Sequence, residues 1–358
     1  MPLAAAAERA RVPEEELAHW ETTPTPLPID TCQKIAKTYK RNWYIFLLED
    51  EIGKPTVPHD FRKGRGEKVP LGPDSMLAFD GADLLLDKIE SVNGSDPGRS
   101  IVDALPAALD DNPEAIAAKV RRALGVAGQP ESNPYGVLRF WRFLLSDAGL
   151  FVSQVKFPRE EMRAFCRSRN GHHLIVLSSR DVATARSFSL LHELGHLLLG
   201  GDAMCKPTSW SERAGSGAEP WCNRFAAAVL LPHLELQANP RYHELIAGNI
   251  GLGSGRALAS EFGVSELALF RRLETFGEIT NAEYQTLQDA ADKDWEAKEG
   301  SSNSGILPPP KKAVYAESPL FVRQVFDAFT AGDLSLKEMG SLLNTPVHSL
   351  SSVREEAA

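Results

Sequence analysis

The chain has 358 residues, 43% of them hydrophobic and 24% charged, and a formal net charge of −9 at pH 7. This describes an ordinary globular protein with room for two or three domains. It argues against broad nucleic-acid affinity, and no apolar run approaches the roughly 18 residues that would cross a bilayer, so no membrane association is expected.

The N-terminus, Met1-Pro2-Leu3-Ala4, carries neither a basic stretch nor a long apolar run, so no secretory leader is expected. Residues 1–50 read as a small helical domain with helices over 3–9, 14–20 and 29–39. A turn at Val12-Pro13 and a proline-rich connector over 22–28 separate them, and residues 43–48 form an apolar plug or short helix. Residues 51–133 read as a helical linker region. In it 55–73 is loop-like, 74–93 is a helix broken by Asn93-Gly94, and 105–124 is one or two helices with a start signal at residues 110–114.

The main domain is expected over 134–300. A helix over 134–148 gives way at residue 149 to a different period, with strands over 149–155, 163–168 and 172–178 and a turn at Asn170-Gly171. An apolar helix spans the region of residues 187–200. A polar, Gly-rich stretch over 200–218 leads to a second apolar helix over 225–231, stopped by Pro232. Beyond a segment over 234–244, the loop 248–255 has two Gly-x-Gly steps. With no strand before it, that is a weak phosphate-binding signal. Helices over 256–262 and 266–276 form a helix-turn-helix with Ser265 as N-cap, whose Arg271 and Arg272 are read as packing groups rather than phosphate contacts. A charged helix over 282–299, a linker over 301–312 and a small helical C-terminal segment over 313–358 complete the chain, with helices over 320–330 and 336–343. There is no internal repeat.

The chemistry concentrates at His192-Glu193-Leu194-Gly195-His196. Residues four apart share one helix face, so both imidazoles can address one cation while Glu193, beside the first, can hold a water and take its proton. Two histidines and a glutamate on so apolar a helix would be costly to bury without a use, at about 1–3 kcal/mol per unpaired group. A catalytic zinc needs a third protein ligand and an open position. Glu219, ahead of the second apolar helix, is the favoured candidate, with Glu212 and Glu235 as rivals. The cysteines Cys32, Cys166, Cys205 and Cys222 form no Cys-x-x-Cys pair, which suits a reducing cytoplasm. Cys205 and Cys222 flank the site and are read as small buried thiols rather than thiolate ligands. Arg186, His172 and His173 are candidates for orienting a ligand or for stabilising an oxyanion, with a purely structural ion pair to a buried carboxylate the equal alternative for Arg186. The three strands directly precede the metal helix, and an edge strand there can take a peptide as an added strand.

Residues 135–280 resemble the ImmA/IrrE family of zinc metallopeptidases. The resemblance rests on Gly149-Leu150-Phe151-Val152, on Ala185-Arg186-Ser187-Phe188-Ser189-Leu190-Leu191 leading into the His192–His196 motif, and on Glu219 with Trp221-Cys222-Asn223-Arg224-Phe225-Ala226-Ala227 and Leu230-Leu231-Pro232. It implies an α+β, mostly helical fold. The zincin-like metallopeptidase core would have a small three-strand sheet packed on the HExxH helix, with small helical N- and C-terminal domains. It also implies one Zn²⁺ per chain on His192, His196 and Glu219, with Glu193 as the base. The implied activity is a site-specific endopeptidase that cuts a partner protein, an XRE-type repressor or antitoxin, in phage, mobile-element or stress control. Residues 1–50 resemble the later helices of a Cro/C1-type (XRE) helix-turn-helix, on Val12-Pro13-Glu14, Leu17, Trp20-Glu21 and Ile35-Ala36-Lys37-Thr38-Tyr39-Lys40-Arg41. The usual first helix is missing there, and Glu14-Glu15-Glu16 would repel phosphate, although Lys34, Lys37, Lys40 and Arg41 give a basic face. The competing expectation is a non-enzymatic zinc-containing regulator that docks a repressor or DNA. Glu193 favours the enzyme, because a structural zinc has no use for a base.

Overall fold

The computed structural model describes residues 3–23, 25–39, 71–94, 98–126, 133–201, 203–205, 217–298 and 309–357. The helices before the sheet are α1 (Leu3–Ala10), α2 (Glu14–Thr22), α3 (Ile29–Thr38), α4 (Pro73–Asn93), α5 (Ile101–Ala104), α6 (Pro113–Ala123) and α7 (Pro134–Asp147). Strands β1 (Phe151–Val155), β2 (Ala164–Arg169) and β3 (His172–Ser178) come next, then α8 (Ala183–Leu198), the short β4 (Ala203–Cys205) and α9 (Ala218–Leu230). The rest is helical: α10 (His233–Gln237), α11 (Pro240–Ala247), α12 (Arg256–Glu261), α13 (Glu266–Phe276), α14 (Asn281–Lys298), α15 (Pro309–Glu317), α16 (Pro319–Ala331), α17 (Leu336–Leu342) and α18 (Leu350–Ala357).

Strand order in the sheet is β1-β3-β2-β4, with β1 parallel to β3 and the other two pairs antiparallel. Asn170 and Gly171 join β2 to β3 with φ of 51° and 78°, the left-handed pair that a two-residue hairpin of matching twist requires. All seven residues of β3 are buried, so this strand is covered on both faces. Alternation sorts its side chains. Ile175 and Leu177, with Val152 of β1 and Ala164 and Cys166 of β2, join the core that holds α8 and α9. Leu174 and Val176, with Phe151 and Phe165, join a second core built by α4 and the C-terminal helices, through Phe79, Leu86, Phe321 and Val325.

Four features differ from the sequence reading. Within the stretch 105–124 residues 105–112 are not helical: α6 starts at Pro113 behind its Asn112 cap, where the start signal stood, and the single turn α5, capped by Ser100, lies ahead of the stretch. Pro106 keeps Leu105 out of the helical region. A fourth strand, β4, pairs with β2 inside the stretch read as a Gly-rich connector. Residues 309–312, expected in a linker, open α15, because proline at the first helical positions gives up only amides that have no partner anyway. Helix α18 was not foreseen. The C-terminal helices also engage the edge strand β1: Val152 N donates to Ser318 Oγ at 3.0 Å, and Ser153 Oγ donates to the Ala316 carbonyl at 2.6 Å.

At the other end of the chain, α1, α2 and α3 close a small core of Ala6, Ala7, Leu17 and Ile35. The plug expected over 43–48 and the basic Lys40 and Arg41 lie outside the described residues, as does most of the loop 55–73. Among the described residues, no helix is long and apolar enough to cross a membrane.

Candidate metal centre

Helix α8 is buried on every side from Ser189 to Leu198. Such a helix tolerates polar side chains only where they have partners. His192 and His196, four residues apart, put their Nε2 atoms 3.1 Å from each other. Glu219, the second residue of α9, completes the group. Its Oε2 lies 3.4 Å from His192 Nε2 and its Oε1 3.3 Å from His196 Nε2. These three residues form a group that could hold a metal ion.

The spacing is a test of fit. Ligands about 2.0–2.1 Å from a tetrahedral zinc stand roughly 3.3–3.4 Å apart, which these donors already approach. The set of two imidazoles and one carboxylate also suits zinc. Burial acts to raise the Glu219 carboxyl, but hydrogen bonds and charge from His192 and His196 outweigh it and hold the group well below the usual carboxylate range. Glu193 is wholly buried next to His192.

Glu219 reaches this position because α9 is locked against α8. A Cβ at Gly195 would stand 3.1 Å from Cys222 Sγ, 3.2 Å from Cys222 Cβ and 3.2 Å from Phe225 Cδ1. Only glycine lets the two helices come this close. The start of α9 is held by Trp221, whose Nε1 donates to the Asp111 carbonyl at 2.8 Å and whose ring stacks on Phe225. Its far end is held by Arg121, which donates to the Val229 carbonyl at 2.9 Å. Gly195 lay in plain view inside the motif, but no periodicity marks it as a contact point. The Asp111–Trp221 bond spans 110 residues and carries no local signal.

The other sequence candidates lie elsewhere. Glu235 pairs with Arg121, so it is no rival ligand. Glu212 and the Cys205 side chain lie outside the described residues. Cys222 is a buried thiol facing Gly195, and Cys32 and Cys166 are buried too. His173 is held between Ser168 Oγ at 2.8 Å and Asp103 Oδ1 at 3.1 Å. His172 packs edge-on against Phe151, and burial presses its imidazole below the ordinary range. Neither histidine is among the three residues gathered as possible metal ligands. Arg186 donates from Nη1 to Gln154 Oε1 of β1 at 2.6 Å. The Gly-x-Gly loop is filled from within, since Gly253 N and Gly255 N both donate to Glu266. Arg272 is buried in a two-pronged pair with Glu114, and Arg271 lies beside Glu274 and over the Tyr284 ring.

A mixed sheet backing a buried helix with two histidines one turn apart, and a glutamate from the next helix, define a zincin-like α+β core. Residues 146–274 match the family model of the IrrE N-terminal-like domain, a peptidase family. The match spans β1 through most of α13, and so contains the sheet, both site helices and every residue of the cluster. A search of curated proteins finds no match to the chain.

Proposed function

We propose that this chain is a zinc-dependent, site-specific endopeptidase acting on a partner protein. The observation that carries the reading is the convergence of His192, His196 and Glu219 on one point, with Glu193 buried alongside. In this reading the first three hold the metal. When bound, zinc polarises the scissile carbonyl and acidifies a water. Glu193 accepts the proton of the attacking water and returns it to the leaving amine. The Glu219 carboxylate, kept ionised by the two imidazoles, stays a ligand rather than a proton carrier.

The substrate proposed is an XRE-type repressor or antitoxin in the cytoplasm, with α1–α3 as a docking module rather than an operator reader, since α2 opens on three glutamates. The test is to co-express the chain, and its Glu193→Gln variant, with the XRE-type repressor encoded nearest its gene, and to measure the intact repressor mass. One new fragment seen only with Glu193 supports the reading and locates the bond. Intact repressor in both, held in a stable complex, would replace the peptidase by a docking regulator.

A further inference from the structure

A second buried polar cluster lies away from the metal centre, where α7, α8, β1 and α15 meet. Arg142 of α7 is 1% exposed, and its guanidinium lies over the Tyr315 ring of α15, 4.3 Å from the ring centre. Arg186 of α8 is half-buried, reaches Gln154 of β1, and is close enough for its charge to act on Arg142. Arg186 precedes His192 by six residues. It therefore sits about 9 Å along the helix and roughly 120° around it, on a different side from the histidines.

What sets the cluster apart is that Arg142 has no counter-ion among the described residues. Nε and Nη2 of Arg142 and Nε of Arg186 are buried with no hydrogen-bond partner among the described residues. The groups that act on the Arg142 charge are Tyr315 and Arg186, with no carboxylate among them. Asp181 acts on Arg186 but already pairs with Arg163 at 3.4 Å. A buried charge without a partner is among the costliest features a fold can hold, and Arg142 is one, with the half-buried Arg186 beside it. Nε and Nη2 form one edge of the guanidinium, and that edge matches both oxygens of a carboxylate. Arg186 is itself only half-buried, and Tyr135, whose hydroxyl acts on it, is 71% exposed.

We propose that Arg142 and Arg186 form a binding site for a small-molecule carboxylate, gripped by the open edge of Arg142 and neutralised by both guanidinium groups. The site is independent of the metal and of the peptidase reading. Because α15 supplies Tyr315, an occupied site ties the C-terminal helices to the helix that carries His192 and His196.

The test uses the full chain at constant ionic strength, with succinate as probe, phosphate as the tetrahedral oxyanion and chloride as control. Thermal unfolding is followed for each, and succinate binding is titrated by calorimetry. The expected result is a saturable rise in Tm with succinate beyond chloride, and one succinate bound per chain. Arg142→Lys keeps the charge but loses the fork, and should weaken binding at least tenfold. Arg142→Met should abolish the rise while zinc content stays at the parent value. Calorimetry on the parent chain stands whether or not Arg142→Met folds. No excess over chloride, an equal response in Arg142→Lys, or a response to phosphate but not to succinate would overturn the proposal.

Discussion

Replacing Gly195 by alanine should loosen the metal centre without touching a ligand. The added Cβ would stand 3.1–3.2 Å from Cys222 and Phe225, a few tenths of an ångström inside ordinary contact. Cys222 Cβ is rooted in the backbone and the Phe225 ring is wholly buried, so α9 itself must move outward. Glu219 lies three residues before Cys222, almost one turn, and moves with it. Overpacking costs about 1–3 kcal/mol, and alanine in place of helical glycine returns about 1 kcal/mol, so net destabilisation should be about 0–2 kcal/mol. The larger effect falls on the metal. Donor distances to zinc tolerate roughly 0.2 Å, so a shift of this size should weaken zinc by about tenfold, or about 1.4 kcal/mol. Competition against a chromophoric chelator measures this directly. Cys222→Ala in the Gly195→Ala background removes the nearest atom and should restore part of the loss, so the double-mutant cycle should show coupling. Zinc binding by Gly195→Ala within twofold of the parent, or no coupling to Cys222, would refute the account of how Glu219 is placed.

Further outcomes follow from the same geometry. The parent should hold one zinc per chain by elemental analysis and His196→Ala none, whereas Glu193→Gln should keep the metal and lose cleavage by about 10²–10⁴-fold, the range for a general base. Equal cleavage by Glu193→Gln would remove it from that role. The Glu219 carboxyl titrates below its unfolded value of about 4.3, so in the chelated protein its stabilisation is present above that pH and lost as pH falls. Chelated parent should therefore lose more Tm than Glu219→Gln between about pH 6 and pH 3, and parallel curves would contradict the pairing with His192 and His196. Glu266→Ala releases the Gly253 and Gly255 amides and should cost about 1–3 kcal/mol in denaturant unfolding with zinc affinity unchanged. An unchanged midpoint would show that the loop does not depend on that carboxylate.

Much of the local architecture was open to inspection in the chain itself. A helix repeats every 3.6 residues and a strand every two, so His192 and His196 had to share a face, and Leu174 and Val176 had to oppose Ile175 and Leu177. Caps and turns are equally local: Ser265 caps α13, and Asn170-Gly171 makes the hairpin. Choices between distant segments were not legible in this way. Pattern left Glu219 and Glu235 both available, and the pairing of Glu235 with Arg121 decides between them only once α6 is brought against α9. The strand β4 is too short to show a period of its own and exists because β2 offers it unpaired amides and carbonyls. The C-terminal helices read as a separate segment because their amphipathic stripe does not name its partner, which is the second face of the sheet. Arg142 looked like any charged residue on a helix, and only its burial beside Arg186 sets it apart. The sequence by itself determined which residues lie on one face of each element. The tertiary structure decided which faces meet, because close packing and desolvation depend on the shapes of segments far apart in the chain.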